Sequence, residues 1–428
     1  MTEASSGRRA VEAVWRIESA RIVGALARYT GDFALAEDLA QEALAEALVA
    51  WPRDGIPREP ANWLLTVGRR RAIDTFRRKT ALRERYAELS RDLLEGDMTA
   101  GGIHGARPDT GDLLWDPDRI DDDVLAQFFM TCHPVLSREA GIPLTLRALG
   151  GLTSDEIARA FLVPTATVQA RITRAKKTLA AAGVRFELPS PEDRRARLPA
   201  VLNSIYVIFS EGSSASTGPE RIRTDLAGEG IRLARVLARL VPDEPEAQGL
   251  LALLELTAAR FPARVDENGD VVLLENQNRR RWDRDAIRRG RAALARAESF
   301  GRGLGAYGLQ AAIAECHAVA PDVDSTDWAR IVALYEALGR LAPSPIVDLN
   351  RAVAVTMADD AAAGLAIVDE LIAAGALSGS HLLPGTRAEI LIRLGRPADA
   401  AADLRRALEL CANEPERRLL QRKLDSLT

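Results

Sequence analysis

The stretch "TSDEIARAFLVPTATVQARITRAKKTLA", residues 153–180, predicts two short helices joined by a tight turn. Thr153 and Glu156 have the spacing of a capping box, in which each side chain accepts a hydrogen bond from the backbone N–H of the other residue. Ile157 and Phe161 give the first helix an apolar face, and "LVPT" then turns the chain. The stretch therefore predicts a helical hairpin within an all-α fold.

The second helix of this hairpin has an apolar face and a basic face. Its apolar residues recur at intervals of four, three and four: Val168, Ile172, Ala175 and Leu179. On the other face, the first turn could reach base edges in the major groove of DNA, and the later cations could bind phosphates. An ordinary hairpin with a solvated basic face is the alternative, and the hairpin alone does not decide between the two.

Length and composition point to several helical domains in one soluble chain. The chain has 428 residues, of which 47% are hydrophobic, 28% charged and only 5% aromatic. Its 57 basic and 61 acidic residues give a net charge of −4, which excludes a uniformly basic nucleic-acid coat but allows a local basic patch. We expect a cytoplasmic protein, because neither a secretory leader nor a membrane-spanning stretch is apparent.

The cysteines and histidines do not predict an enzyme. Three cysteines, Cys132, Cys316 and Cys411, lie far apart, so neither a disulfide framework nor a zinc ribbon is predicted. Two of them precede a histidine, but adjacent side chains on a helix point about 100° apart and do not form a ready dyad or chelate. We predict no catalytic residue, no metal and no cofactor.

Charge and periodicity divide the chain into four segments. They are a helical N-terminal module at 1–88, an acidic flexible linker at 89–123, a second helical module at 124–183, and a helical extension at 184–428. In the extension, alanines recur 34 residues apart, which is the tetratricopeptide (TPR) period: Ala354, Ala366 and Ala373, then Ala388, Ala400 and Ala407. The extension is therefore expected to be a TPR-like helical array.

The N-terminal module combines an acidic helix face with a basic helix. In "AEDLAQEALAEAL", Asp38, Glu42 and Glu46 lie four residues apart, with Gln41 beside them. This face suits a basic protein partner, and a solvated surface is the alternative. The helix "PANWLLTVGRRRAIDTFRRK" follows at a short distance and ends in a basic cluster.

These two modules, in this order and spacing, resemble the bacterial sigma-70 family over residues of about 11–183. Within that family they are similar to the extracytoplasmic-function group, which keeps only the second and fourth sigma domains. The resemblance implies an RNA polymerase sigma factor that binds core polymerase through the clamp coiled coil of β′ and the flap of β. It also implies that Asp38, Gln41 and Glu42 dock on the coiled coil.

The same resemblance implies contacts with promoter DNA. The N-terminal module would recognise and melt the minus-ten region, and the hairpin would read the minus-thirty-five element. Trp63 is expected beside flipped bases, with a role in the core as the alternative. The DNA-binding residues so predicted are Trp63, Arg69, Arg70, Arg71, Arg77, Arg78, Thr165, Thr167, Gln169, Arg171, Arg174, Lys176 and Lys177.

The extension resembles that of a sigma subgroup with a C-terminal TPR-like domain, through "RLPAVLNSIYVIFSEG" and "QNRRRWD" among other stretches. Ser210 and Ser213 stand where we expect an amide and an aromatic residue. Such an extension is expected to regulate the sigma domains, with a protein or peptide as its partner. A dimeric DNA-binding regulator and a peptide-binding scaffold are the other hypotheses, and neither needs the acidic helix and basic helix of the first module.

Overall fold

The protein is helical throughout the part of the chain that the computed structural model describes, and that part contains no strand. The described residues are 3–93, 117–161, 163–213, 224–264, 272–411 and 414–427. They form two compact units, Met1–Ser204 and Ile205–Thr428. The predicted all-α class is confirmed.

The first unit begins with three helices, α1 (Glu3–Thr30), α2 (Phe33–Asp54) and α3 (Pro60–Leu93). Between α1 and α2, Gly31 adopts a positive φ of 66°, and Asp32 caps α2 by accepting a hydrogen bond from the Leu35 N–H at 3.0 Å. Ile22, Leu26, Leu39 and Leu64 are fully buried where the three helices meet.

Four shorter helices follow in the same unit. They are α4 (Pro117–Thr131), α5 (Arg138–Ala148), α6 (Ser154–Phe161) and α7 (Thr165–Ala181). Helix α4 begins inside the segment 89–123 that the acidic composition predicts to be a linker, and residues 94–116 of that segment lie outside the described residues. Gly24 of α1 lets α4 approach closely, since a Cβ there would lie 2.7 Å from Gln127 Nε2.

Helices α6 and α7 form the predicted hairpin. Its capping box is confirmed, because the Thr153 N–H donates to Glu156 Oε2 at 2.8 Å and the Glu156 N–H donates to Thr153 Oγ1 at 3.2 Å. The buried stripe of α7 is confirmed at all four positions. Thr165 does not cap α7; its hydroxyl donates instead to Asp155 Oδ1 at 2.7 Å, which ties α7 to α6.

Helix α8 (Pro191–Ser213) continues from the first unit into the second. Leu198 and Val201 are buried on its first half, and Ile205 and Ile208 are buried on its second half. A chain cut after residue 183 would therefore expose apolar surface in the first unit, whereas a cut after Ser213 would keep α8 whole.

The second unit is a succession of helices in which neighbours in the chain pack against one another. Three 3-10 turns lie between its second and third complete helices: Phe261–Ala263, Leu274–Asn276 and Arg279–Arg281. The pair Asn268-Gly269, whose residue types predict a small hairpin turn, falls outside the described residues. The helices that follow α8 are α9 (Thr224–Leu240), α10 (Pro245–Ala258), α11 (Arg284–Ser299), α12 (Ala306–Val319), α13 (Trp328–Leu341), α14 (Pro345–Met357), α15 (Ala361–Ala373), α16 (Leu382–Arg393), α17 (Pro397–Leu410) and α18 (Glu414–Asp425).

The pairs α14/α15 and α16/α17 repeat, but not in the register of 34 residues that the alanines suggest. Ala366 and Ala373 are exposed, whereas Ala400 and Ala407 are buried. A shift of 36 residues superposes buried positions: 388 − 352, 400 − 364, 404 − 368 and 407 − 371 each equal 36, and all eight residues are buried. The predicted register is therefore wrong by two residues, because exposed alanines match as well as buried ones in an alanine-rich chain.

Packing of the repeat predicts that Gly364→Leu destabilises the second unit. A Cβ at Gly364 would lie 2.0 Å from Thr356 Oγ1 and 2.9 Å from the Ala352 carbonyl. We expect the free energy of unfolding, measured by denaturant titration of helical circular dichroism, to fall by about 1–3 kcal/mol. Ala366→Leu, on the exposed face of the same helix, should change it by less than about 0.5 kcal/mol. Equal stabilities of the two variants would contradict this packing.

Candidate functional site

An acidic face of α2 lies against the basic cluster of α3. Arg70 pairs with Glu46 at 3.1 Å, and Arg71 pairs with Glu46 at 2.9 Å and Glu42 at 3.3 Å. The hydrogen bond to Glu46 is the main cause that raises the pKa of Arg71 above its ordinary value. These side chains are partly exposed, so each pair contributes about 0–1 kcal/mol. Glu42, which is predicted to bind polymerase, and Arg71, which is predicted to bind DNA, are thus direct neighbours.

Two further predicted DNA-binding residues of α3 are anchored by aromatic contacts. Trp63 is half-buried and meets the buried Trp51 edge-on, with ring centroids 5.6 Å apart. The Arg69 guanidinium lies over the Tyr29 ring at 5.8 Å. Trp63 therefore takes part in packing and remains partly exposed to solvent. Farther along α3, Arg77 and Arg78 are exposed.

The outer face of α7 carries the other predicted DNA-binding residues. Gln169, Arg174 and Lys177 are exposed, whereas Thr165, Thr167 and Arg171 are half-buried. Arg171 approaches Glu139 of α5 at 3.7 Å. An exposed amide near the start of the helix and exposed cations farther along provide the base-reading and phosphate-binding groups that a recognition helix needs.

Lys176 differs from its neighbours because it faces α2 rather than solvent. Its ammonium group is ion-paired with Glu37 and, at 2.7 Å, with Asp38. Burial would lower the pKa of Lys176, but the two carboxylates outweigh it and raise the pKa above its ordinary value. Lys176, a predicted phosphate contact, and Asp38, a predicted polymerase contact, therefore neutralise each other. Gln41, one turn farther along α2, is half-buried.

Glu37 is the centre of this contact, and the sequence pattern did not single it out. Its side chain is only 3% exposed, and its second carboxylate oxygen accepts a hydrogen bond from Arg147 Nε of α5 at 3.0 Å. One buried carboxylate thus holds cations from α5 and α7 against α2. The only signal in the sequence is its place beside Asp38, because its cationic partners are 110 and 139 residues away.

Three more contacts join the two modules of the first unit. Arg16 of α1 pairs with Glu156 at 2.7 Å, and Arg28 pairs with Asp123 of α4 at 3.2 Å. The side-chain amide of Gln127, fully buried in α4, donates to the Ala20 carbonyl at 2.5 Å. Hydrogen bonds from Thr153 and Arg16 overcome burial and lower the pKa of Glu156. The modules predicted from the sequence are therefore packed face to face.

The cysteines lack the setting of a nucleophile. All three are buried, and burial raises the pKa of the Cys132 and Cys316 thiols. Among the described residues, one group could offer a metal three ligands: His381, Cys411 and Glu416, whose donor atoms lie within 4.8 Å of one another in the second unit. Glu416 already pairs with His381 Nε2 at 2.8 Å.

Comparison with known proteins agrees with the order of the two modules. Residues 16–81 match the family model "Sigma-70 region 2", residues 129–179 match "Sigma-70, region 4", and residues 197–298 match "Family of unknown function (DUF6596)". The chain is 44% identical over 405 residues to "Uncharacterized protein R00370" of Rhizobium meliloti (strain 1021), covering 95% of this chain and 93% of that protein. No solved structure matches the chain. Within the described ranges, no helix is long and apolar enough to cross a membrane.

The geometry of Glu37 predicts that Glu37→Gln loosens α5 and α7. The change would leave Arg147 and Lys176 without their buried counter-charge, at a cost of about 3 kcal/mol, or over a hundredfold in amide protection. Hydrogen exchange of α5 and α7, followed by mass spectrometry, measures the effect. Asp38→Asn is the matched control, because the exposed Asp38 should contribute less than about 1 kcal/mol. Equal protection in the two variants would show that Glu37 does not hold these helices.

Proposed function

The chain belongs to the sigma-70 family of RNA polymerase sigma factors, and we propose that it is of the extracytoplasmic-function type, with two sigma domains and a regulatory extension. It is not proposed to be an enzyme. The observation that carries this proposal is the pairing of an acidic α2 and basic α3 with a helical hairpin whose recognition helix exposes Gln169, Arg174 and Lys177. A dimeric DNA-binding regulator would need only the hairpin.

Core polymerase is the proposed partner of the acidic face of α2. Asp38, Gln41 and Glu42 lie on successive positions of this face, which would dock on the clamp coiled coil of β′, while the second sigma domain would meet the flap of β. An acidic surface favours fast association with a basic one. This step takes place in the cytoplasm, where transcription occurs.

Promoter DNA is the proposed partner of α3 and α7. Trp63 is half-exposed, and a flipped minus-ten base would stack on its ring, while Arg77 and Arg78 are exposed for the backbone of the opened strand. On α7, Gln169 is placed to read a minus-thirty-five base, and Arg174 and Lys177 to bind phosphates.

The contact between α2 and α7 is proposed to be a closed form of the sigma domains. Asp38 cannot give its full charge to polymerase, nor Lys176 to DNA, while they pair with each other. Opening would release both groups at once, so that binding of polymerase and of promoter would each favour the same open form.

The extension is proposed to set this balance, with a protein or peptide bound to its TPR-like helices as the signal. Its support is covalent tethering, which gives the extension an effective concentration of about the millimolar scale near the sigma domains. The helix pairs α14/α15 and α16/α17, with their shared spacing of buried residues, have the layout of a helical-repeat array.

Contacts on α7 predict how DNA affinity should vary with salt. Lys177→Ala and Arg174→Ala should each reduce the slope of log affinity against log salt by about 0.9 and weaken binding to all sequences alike. Gln169→Ala should instead weaken binding to the preferred minus-thirty-five sequence by about 1–3 kcal/mol and leave the slope unchanged. Arg53→Ala, at an exposed cation of α2, is the control. Fluorescence anisotropy of holoenzyme on promoter duplexes checks these outcomes.

Run-off transcription with core polymerase on genomic DNA tests the proposed function directly. We expect promoter-specific initiation from the full chain, from residues 1–213, or from both, and the difference between them gives the sign of the extension's effect. Glu37→Gln should increase initiation by the full chain if the closed form limits activity. If neither the full chain nor residues 1–213 initiates transcription or binds core polymerase, the sigma proposal is refuted. If the two chains are equally active under all conditions, the proposed regulation by the extension is refuted.

A further inference from the structure

The second unit contains a cluster of cations around one buried indole, in the motif "QNRRRWD" (residues 277–283). Trp282 is 3% exposed, and two guanidinium groups lie over its ring: that of Arg279 at 4.8 Å and that of Arg260 at 5.6 Å. Arg260 follows α10, Arg279 begins a 3-10 turn, and both meet the last turn of α12. None of the functions proposed above uses this cluster.

Several buried nitrogens of this cluster lack a hydrogen-bond partner. Three buried side-chain nitrogens have no hydrogen-bond partner among the described residues: Arg279 Nη2, Trp282 Nε1 and His317 Nδ1. Burial, together with the neighbouring Arg260 and Arg279, lowers the pKa of His317 to about 4, so its ring is neutral at pH 7. Buried polar atoms in proteins are nearly always satisfied, so the Arg279 and Trp282 donors, together with His317 in the tautomer that carries its proton on Nδ1, indicate a bound acceptor.

The positive charge of the cluster is also uncompensated. Within the described part of the chain, no carboxylate acts on Arg260, and the one that acts on Arg279, Asp322, does not form an ion pair with it. Burial is the main cause that lowers the pKa of Arg260, to about 10, and the positive charges of Arg264 and Arg279 add to it. Burial likewise lowers the pKa of Arg279, and the exposed Asp322 opposes this only in part.

Structural contacts hold these arginines in place but do not neutralise them. Arg279 Nη1 donates to the His317 and Ala320 carbonyls at 2.6 Å each, which caps the end of α12, and Arg260 Nε donates to Gln277 Oε1 at 3.4 Å. The face of an indole ring attracts a cation. This attraction is weaker than the cost of removing two like charges from water and bringing them close together. Capping and stacking alone therefore leave the cluster unexplained.

A buried charge of the opposite sign in the same unit shows the usual arrangement. Glu255 of α10 is 1% exposed, and its carboxylate pairs with Arg235 at 2.5 Å and Arg289 at 3.0 Å. The unit thus surrounds a buried anion with two cations. The Trp282 cluster has the two cations without the anion.

We propose that the Arg260, Arg279, Trp282 and His317 cluster binds a phosphate group, either free or on a small metabolite. Guanidinium forks match the oxygens of phosphate, and indole and imidazole N–H groups add further donors. A tetrahedral phosphate dianion has an oxygen for each of these four side chains, whereas a single carboxylate has too few oxygens. Because the site joins the end of α10, the 3-10 turn and the end of α12, phosphate would stiffen the first half of the extension.

Thermal unfolding of the full chain and isothermal titration with inorganic phosphate, at constant ionic strength maintained with chloride, test the proposal. We expect phosphate to bind saturably and to raise the Tm. Arg260→Gln should weaken phosphate binding by at least about tenfold, because it removes a charge-assisted hydrogen-bond donor. In the absence of phosphate, the same change should raise the Tm, because it relieves repulsion between cations.

Arg280→Gln is the matched control, since Arg280 is exposed in the same motif and should leave phosphate binding unchanged. Trp282→Phe keeps an aromatic ring but removes the N–H donor, so it should weaken binding several-fold. Tighter binding of glycerol 3-phosphate than of inorganic phosphate would assign the site to a phosphorylated metabolite, and the reverse would assign it to free phosphate. No saturable binding, or equal binding by the Arg260→Gln and Arg280→Gln chains, would overturn the proposal, since phosphate on the sigma domains does not depend on Arg260.

Discussion

The buried carboxylate of Glu37 constrains how the first unit is assembled. A carboxylate that is 3% exposed must be paired, and its partners come from α5 and α7, which belong to the other sigma domain. That requirement places Lys176 against α2 and leaves Arg174 and Lys177 of the same helix exposed. One buried charge therefore decides which cations of the recognition helix face solvent and which do not.

Local features of the fold could be predicted because they depend on residues close together in the chain. The capping box of α6 and the buried stripe of α7 follow from spacings of three and four residues, and both are present. The Glu37 contacts could not be predicted in this way, since nothing in the local pattern of α2 indicates an arginine or lysine more than a hundred residues away. The sequence is sufficient to place a candidate residue such as Gln169 on a helix face. It is not sufficient to predict that Lys176 is covered by its ion pairs with α2.

The repeat of the extension illustrates a different reason for failure. An alanine is small enough to occur both at a close helix contact and on an exposed face, so identity of residues does not identify equivalent positions. Burial does identify them, because Gly364 and Ala400 are each the point where one helix of a pair approaches the other. The space available where the two helices of a pair touch, rather than the residue type along the chain, defines the 36-residue register.

The contacts between the two sigma domains combine deeply buried pairs with exposed ones. The Glu37 contacts and the hydrogen bond from Gln127 to the Ala20 carbonyl are deeply buried, whereas the pairs Arg16–Glu156 and Lys176–Asp38 each have a well-exposed partner and contribute about 0–1 kcal/mol apiece. Such an interface can be opened by partners that bind the open form a few kcal/mol more tightly than the closed one. Polymerase and DNA would each regain a charge that the closed form withholds. Under the proposed regulation by the extension, a ligand bound there would need only a modest binding free energy to change the open population.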